Sequence, residues 1–541
     1  MQVLRALLVV LAAPLAVVAA AASSSTQFHL SLVGPSSNGV DYMLDWVTPS
    51  DVKSSVLVYG SSASELKNQV TAKAAGLVEE GAGASVACWS VVLPGLQPGQ
   101  TVYYQLKQGG GDVKSFSVPK SSVTWAVFGD LAAPMQKKAA GISLPALKEE
   151  LKSNSYQGML NLGDISYELV KENGQNYMQE LEEITAQVPM QTTIGNHEHE
   201  HAMAPSYALR NYRRRFAGLK LGAGAASGSG SNEFFSFSSG YIHFVFLNTE
   251  VYGGEAYMEP KQGGDDSSEV WAADETARRA MAVAQAEWLA YDLSRVDREK
   301  TPFIVVCGHR PPFKTPFGLS RAGNKFAQEI LPLLSKYKVD LYFAGHEHTY
   351  AVFEASKFGS LDVPPIIISG SSGNNEYIRG KSEMQIEGFT EKIIIAKYGF
   401  GLLSATKDEL QWKWGSTASG DKLSPQAGKW KLEDEMTFAR RTGLSAPTPE
   451  GKAVQEPISV ASKWSDLVKS GNNTSGSGAK ADDGSKPGTV VPAKDPKGKP
   501  AAKPESGSTT PQPSSDSSRS KISQWASIAA VFASSLALAL L

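Results

Sequence analysis

Short apolar runs broken by turn clusters fill residues 26–120, and the pattern changes after residue 123. In the first stretch Phe28–Val33, Tyr42–Val47, Val56–Tyr59, Val86–Val92, Val102–Leu106 and Ser115–Val118 have strand length, with Gly34-Pro35-Ser36 and Gly109-Gly110-Gly111 among the breaks. Regular short strands punctuated this way predict an antiparallel sandwich. Leu96-Gln97-Pro98-Gly99 leading into Tyr103-Tyr104 resembles the tyrosine corner of fibronectin type III domains. Beyond residue 123, Trp125–Phe128, Met159–Leu162, Gln191–Ile194, Phe303–Cys307 and Leu341–Ala344 read as buried strands alternating with longer amphipathic stretches. Ala277–Leu293 has helical spacing, with Met281, Ala284, Trp288 and Leu289 on one side. This is the pattern of an α/β domain, whose chemistry sits at the carboxyl ends of its strands.

Three polar or glycine-rich segments interrupt that pattern. Gly218–Ser231 lacks the Lys-Ser/Thr ending of a phosphate loop and reads as a flexible surface insertion. Gly253–Asp274 is acidic and reads as a second solvated loop. Arg213-Arg214-Arg215 reads as a solvated helix face.

The two ends differ from the body. Met1–Ala22 has a charged start at Arg5, an apolar run and small residues at Ala20-Ala21-Ala22, which is the layout of a secretory signal peptide. Lys469–Lys521 contains no Leu, Ile, Met, Phe, Trp or Tyr and cannot offset its ordering entropy, so it is expected to be an extended stalk. It carries two overlapping glycosylation sequons, at Asn472 and Asn473. Ile522–Leu541 is apolar to its last residue, follows small residues at Ser514–Ser518 and has no basic stop, which reads as a GPI-attachment signal in preference to a transmembrane helix. The expected organisation is a signal peptide at 1–22, a sandwich at 23–120, a catalytic domain at 121–420, a C-terminal extension at 421–468, a stalk at 469–521 and an anchor signal at 522–541. On that reading the protein is secreted and held at the cell surface by a C-terminal lipid anchor.

With 52 Lys+Arg against 54 Asp+Glu, the chain has no broad basic field, which argues against nucleic acid as a partner. Cys88 and Cys307, the only cysteines, fall in different predicted domains and read as two buried free thiols. Six of the eight histidines cluster at 197–201, 309 and 346–348, and these clusters carry the chemistry.

Five segments share one grammar: Gly129-Asp130-Leu131, Gly163-Asp164-Ile165-Ser166-Tyr167, Gly195-Asn196-His197-Glu198, Gly308-His309-Arg310 and Gly345-His346-Glu347-His348. Each places an oxygen or nitrogen donor just after an apolar strand, and the glycines allow the tight turn that crowded ligands need. Asp130 to Asp164 is 34 residues, Asp164 to Asn196 is 32 and His309 to His346 is 37; each interval fits one strand–helix–strand unit of ~30 or more residues. Carboxylates, an amide oxygen, three imidazoles and a phenol suit a pair of first-row ions. Two ions ~3.5–4 Å apart make a site for phosphoryl transfer.

These motifs resemble the calcineurin-like metallophosphoesterases, and within them the purple acid phosphatases. The broad family has Asp-x-His in its first motif, whereas position 132 here is Ala; Tyr167 appears three residues after Asp164. Loss of the first imidazole with gain of the tyrosine is the purple acid phosphatase arrangement. Phe234-Phe235-Ser236-Phe237, Asn248-Thr249-Glu250, Gln285 through Leu289, Tyr398 through Gly401 and the Trp412/Trp414 pair are also similar to that family, over roughly residues 27–415. The resemblance implies a fibronectin type III-like sandwich followed by a four-layer αββα metallophosphoesterase domain. It places Asp130, Tyr167 and His348 on Fe(III), and Asn196, His309 and His346 on a divalent Fe, Zn or Mn ion, with Asp164 bridging. The implied reaction is hydrolysis of phosphate monoesters at acid pH by a metal-bound hydroxide. His197 is expected to contact phosphate or protonate the leaving group. Arg310 is a further candidate for substrate contact, with Lys314 beside it. His199 and His201 read as part of a solvated loop, Tyr350 as packing near the site, and Ser369 through Asn375 as a loop supporting it. Two other readings stay open: the same metals acting on phosphodiesters or phosphoproteins, and a surface recognition protein whose metal site is structural.

Overall fold

The computed structural model describes residues 27–108, 111–121, 123–132, 141–167, 169–198, 209–252, 268–313, 326–355, 360–374, 389–418, 429–444 and 447–454. The expected signal peptide, stalk, anchor signal and sequons lie outside these residues, as do His199, His201, Lys314 and most of the acidic segment after Gly253. From Ser268 that segment is helix. Among the described residues no helix is long and apolar enough to cross a membrane.

The first domain is an antiparallel sandwich of β1 (His29–Ser36), β2 (Gly39–Pro49), β3 (Val56–Gly60), β4 (Asn68–Thr71), β5 (Lys73–Glu79), β6 (Ser85–Leu96), β7 (Thr101–Leu106) and β8 (Lys114–Ser117). Its sheets run β1-β2-β6-β5 and β4-β3-β7-β8, and Leu30, Leu44, Trp46, Leu57, Tyr104 and Phe116 fill the space between them. The apolar pattern locates six strands and misses β4 and β5. Both are edge strands with mostly exposed or half-buried positions, so they carry no apolar run. Cys88 and Cys307 are buried and unbridged.

The second domain contains β9 (Trp125–Phe128), β10 (Gly158–Asn161), β11 (Met190–Thr192), β12 (Phe235–Ser239), β13 (Ile242–Leu247), β14 (Phe303–Gly308), β15 (Leu341–Ala344), β16 (Tyr350–Ala355), β17 (Ile366–Ser369), β18 (Phe389–Ile395), β19 (Tyr398–Ala405), β20 (Glu409–Ala418) and β21 (Lys431–Ala439). They form a six-stranded sheet, β11-β10-β9-β19-β20-β21, and a seven-stranded sheet, β12-β13-β14-β15-β17-β16-β18. In β14, Phe303, Val305 and Cys307 join the core shared with the other sheet. Ile304 and Val306 join a second core that contains Trp288, Leu289 and Leu334. That alternation puts helices α4 (Ser268–Leu293) and α5 (Leu331–Lys336) on the outer face of the seven-stranded sheet. Helices α1 (Leu144–Lys152) and α2 (Lys171–Thr185) connect the parallel strands β9, β10 and β11, stepping the same way along the sheet. Right-handed crossovers place both on one face of it.

Three expectations from the sequence are corrected here. Gly218–Ser231 is not a flexible insertion: Ala217–Leu219 is helical, Lys220–Gly224 continues as a π-helical turn, and Gly222, Ala223 and Gly224 are buried. Its glycines allow close approach to β2, since a Cβ on Gly218 would lie 2.1 Å from Asp45 Oδ2 and one on Gly222 2.6 Å from Met43 Cγ. Arg213-Arg214-Arg215, at the end of helix α3 (Arg210–Arg215), is a solvated face only in part, since Arg213 is exposed but Arg215 is buried. Arg213 Nε donates to Glu233 Oε1 (2.7 Å) and Arg214 to the Leu77 carbonyl. Arg215 is 1% exposed and bonds Gln27 Oε1 (2.6 Å) and Glu80 Oε1 (3.3 Å). The segment after residue 420 is not a separate extension, because β21 pairs with β20 and residues 447–454 dock through Glu450 N to Ser294 Oγ (3.1 Å) and Val454 N to the Gly228 carbonyl (2.6 Å).

The junction of the two domains is polar and buried. Tyr104 does not make the corner contact expected from the sequence: its hydroxyl leaves the sandwich and donates to the Ala186 carbonyl of the catalytic domain at 2.8 Å. Asp45 receives Ser90 Oγ and the Gly218 amide (2.9 Å), with His29 Nε2 at 3.7 Å. Burial pushes its carboxyl up to about 6 against those partners. An unfolded carboxyl titrates near 4, so the folded protein holds this proton more tightly. Stability carried by this group therefore falls as pH rises from about 4 to about 6, by about 3 kcal/mol. Denaturant unfolding of Asp45→Asn beside the parent at pH 4 to 7 should show the variant gaining on the parent across that window. Parallel curves would contradict the assignment.

Candidate metal centre

Every candidate ligand follows a strand end: Asp130 after β9, Asp164 and Tyr167 after β10, Asn196 after β11, His309 after β14, and His346 and His348 after β15. Backbone hydrogen bonds stitch these loops together across the two sheets. Gly129 N donates to the Ser369 carbonyl (2.9 Å), Asp130 N to Gly163 (3.1 Å) and Gly345 N to His309 (2.9 Å).

The donors fall into two groups. In the first, the Tyr167 hydroxyl is 2.9 Å from His348 Nε2 and 3.3 Å from Asp130 Oδ1, and His348 Nε2 is 3.4 Å from Asp130 Oδ1. In the second, Asn196 Oδ1 is 3.0 Å from His346 Nδ1 and 3.2 Å from His309 Nε2. His309 Nε2 is also 3.3 Å from Asp164 Oδ1. Asp164, His309 and His346 present donor atoms that all lie within 4.8 Å of one another. Neighbouring donors on an octahedral ion at ~2.1 Å lie about 3.0 Å apart, so both groups have the spacing and chemistry of ligand sets.

The backbone is strained where these donors sit. Asp130 (φ 57°), Asp164 (φ 48°), Tyr167 (φ 51°) and His346 (φ 67°) are all left-handed non-glycine residues. Such conformations persist only where surrounding contacts hold them, and they gather at functional sites.

Charge is equally concentrated. Burial raises the Asp130 carboxyl despite its bond to His348. Burial acts the same way on Asp164, but His309 and His197 outweigh it and hold Asp164 well below the usual carboxylate range. Burial opposes charge on His309, yet Asp164 pushes it up to about 10. A cation at Nε2 would take the place of that proton. His309 Nδ1 lies 2.8 Å from the Leu162 carbonyl, which fixes Nδ1 as the donor and turns Nε2 toward Asn196 and Asp164. Burial, then the Arg310 charge, hold His346 well below the ordinary imidazole range.

His197 is half-buried between the two groups. Its amide donates to Asp164 Oδ1 (2.9 Å) and its ring lies 4.5 Å from that of Tyr167. Arg310 does not take the exposed place expected of a substrate contact. It is 1% exposed, with Nε bonded to both Glu250 oxygens (2.8 and 2.9 Å) and Nη1 donating to His346 Nε2 (2.9 Å). A guanidinium only donates, so in this contact His346 Nε2 accepts and Nδ1 carries the ring proton toward Asn196 Oδ1; a metal at Nδ1 would put the proton on Nε2 and break the Arg310 bond. Tyr350 is buried in the core, stacked on Trp414 at 4.4 Å and bonded by Trp412 Nε1 at 3.0 Å. The Ser369 loop supports the first motif: Ser372 N donates to the Gly129 carbonyl (3.3 Å) and Asn374 N to that of Asp130 (2.9 Å).

Sequence reasoning gave no role to Glu198 or Glu250. Both are buried carboxylates that hold the site's loops or side chains. Their places within Gly-Asn-His-Glu and Asn-Thr-Glu were the available signal.

Residues 125–350 match the family model of calcineurin-like phosphoesterases, and residues 25–124 match that of the purple acid phosphatase N-terminal domain. Acid phosphatase type 7 of Mus musculus is 28% identical over 390 residues, covering 65% of this chain and 78% of that protein. Purple acid phosphatase 21 of Arabidopsis thaliana is 28% identical over 346 residues, covering 62% of this chain and 70% of that protein. A solved purple acid phosphatase from yellow lupin (Lupinus luteus) seeds shares the fold with a TM-score of 0.53 at 16% identity, over 78% of this chain and 75% of that one.

Proposed function

Because this chain belongs to the purple acid phosphatases of the calcineurin-like phosphoesterases, we propose that it hydrolyses phosphate monoesters at acid pH with two metal ions, outside the cell. The observation that carries this reading is the pair of donor groups at adjoining strand ends, with Asp164 in contact with the second and its charge acting on Asp130 in the first. Asp130, Tyr167 and His348 would hold Fe(III), Asn196, His309 and His346 a divalent Fe, Zn or Mn ion, and Asp164 would serve both. When bound, such a pair supplies the Lewis acidity that activates water and neutralises charge on the phosphoryl oxygens.

The chain's own residues do the rest. His309 is aimed by the Leu162 carbonyl, and the buried Arg310, gripped by Glu250, backs the site beside His346. His197 stands at the edge of both groups with its ring half-exposed, where it donates a proton to the leaving oxygen. His197→Ala is expected to lower turnover roughly 10²-fold or more while metal content stays at the parent level. Steady-state kinetics with elemental analysis checks this, and full activity in the variant would remove the role.

The secretory start, the stalk with Asn472 and Asn473, and the apolar end support a glycosylated enzyme on a lipid anchor at the cell surface. The activity is tested by assaying purified protein against phosphate monoesters from pH 4 to 8, before and after chelation. An acidic maximum that chelation abolishes and metal restores is expected. Chelator-resistant activity, or none, would contradict the reading.

A further inference from the structure

We infer that Glu198 is a positioning residue that aims Asp164 and Asn196 at the ions by tying their two loops together, a role that rests on the metal reading above. Glu198 is 1% exposed and ends the short helical turn Asn196–Glu198, so one turn presents a candidate ligand, His197 and this carboxylate in succession. Its Oε2 accepts from Asp164 N (2.9 Å) and Gly195 N (2.8 Å), and its Oε1 from Ile165 N (2.8 Å). Three backbone donors from two loops thus converge on one side chain. A carboxylate accepts at both oxygens and meets all three, whereas an amide must turn a donor toward at least one of them.

The grip on Asp164 is double. His197 N holds its side chain through Oδ1 at 2.9 Å, while Glu198 holds its backbone N–H. Asp164 needs such a hold, because it sits at φ 48° beside Gly163 at φ 89°. The fit leaves no slack, since a Cβ on Gly195 would lie 2.1 Å from Asp164 Oδ1. A small shift of the Asn196 turn therefore moves Asn196 and Asp164 together. Partners that orient metal ligands commonly contribute 10–100-fold in metal affinity or activity.

The test uses the full chain, stripped of metal and titrated with Mn²⁺ alone. Binding is followed by equilibrium dialysis and phosphomonoester hydrolysis in parallel, for the parent, Glu198→Gln and Glu198→Asp. The aspartate keeps the charge but is one methylene short of the three donors. Expected is a 10–100-fold weaker Mn²⁺ affinity in each variant that folds, with KM at saturating Mn²⁺ within about twofold of the parent. A merely structural role would lower the melting point and leave the Mn²⁺ affinity of the folded fraction unchanged, and that result overturns the inference while the metal reading stands. A parent that neither binds Mn²⁺ nor hydrolyses the ester in any metal takes down both.

Discussion

Asp164→Asn is expected to lower phosphomonoester turnover roughly 10³-fold or more, a loss of about 4 kcal/mol of transition-state stabilisation. The substitution keeps the shape and removes the charge. Asp164 is 2% exposed, accepts from the His197 amide, lies 3.3 Å from His309 Nε2 and is the carboxylate of the cluster it forms with His309 and His346. Asp130 is committed to the first group through Tyr167 and to the His346 amide at 3.0 Å. The buried charge in direct contact with the second group is thus lost. Metal content by elemental analysis should fall from two ions toward one in the same variant. A variant that keeps both ions and a rate within tenfold of the parent would contradict the shared-ligand assignment.

Arg215→Ala is expected to cost about 3–5 kcal/mol of stability, because it leaves the buried Glu80 without its cation, though Gln27 Nε2 still donates to it. Glu80 is 5% exposed and lies where the sandwich meets the catalytic domain. Arg215 also supplies the bond to Gln27 Oε1, while Gln27 N is held by Glu182 of helix α2. One guanidinium thereby ties both domains to Gln27, two residues ahead of β1. The cost comes from the stranded acid more than from the lost pair, so Arg215→Met combined with Glu80→Gln should recover much of it. Denaturant unfolding of the single and double variants checks both statements. A single-variant loss under about 1 kcal/mol would mean that water reaches Glu80.

These two residues differ in how far the sequence reveals them. Asp164 is legible because a buried parallel strand reads as a continuous apolar run, and a Gly-Asp step at its end has little else to mean once one similar step precedes it and three follow. β9 and β15 begin and end where the apolar pattern places them. Arg215 is illegible because its partners are remote: Glu80 lies 135 positions away and Gln27 lies 188 away. Three consecutive arginines look solvated until the sandwich is packed against them. The same holds for Gly218–Ser231, where composition signals freedom but the glycines serve close approach to β2. Arg310 stands beside a ligand in the sequence, yet its direction depends on Glu250, sixty positions away. Glu198 shows the limit most sharply, since two of the three groups it holds belong to a loop more than thirty residues earlier.

The most direct measurement is the visible absorption spectrum of the purified protein beside that of Tyr167→Phe, with metal content determined on the same samples. The Tyr167 hydroxyl lies 2.9 Å from His348 and 3.3 Å from Asp130, so a ferric ion held by this group takes the phenolate as a ligand. A broad charge-transfer band in the parent that vanishes in Tyr167→Phe is the predicted result. A colourless parent that is fully metallated without iron would contradict the ferric assignment and leave a zinc or manganese phosphoesterase in its place.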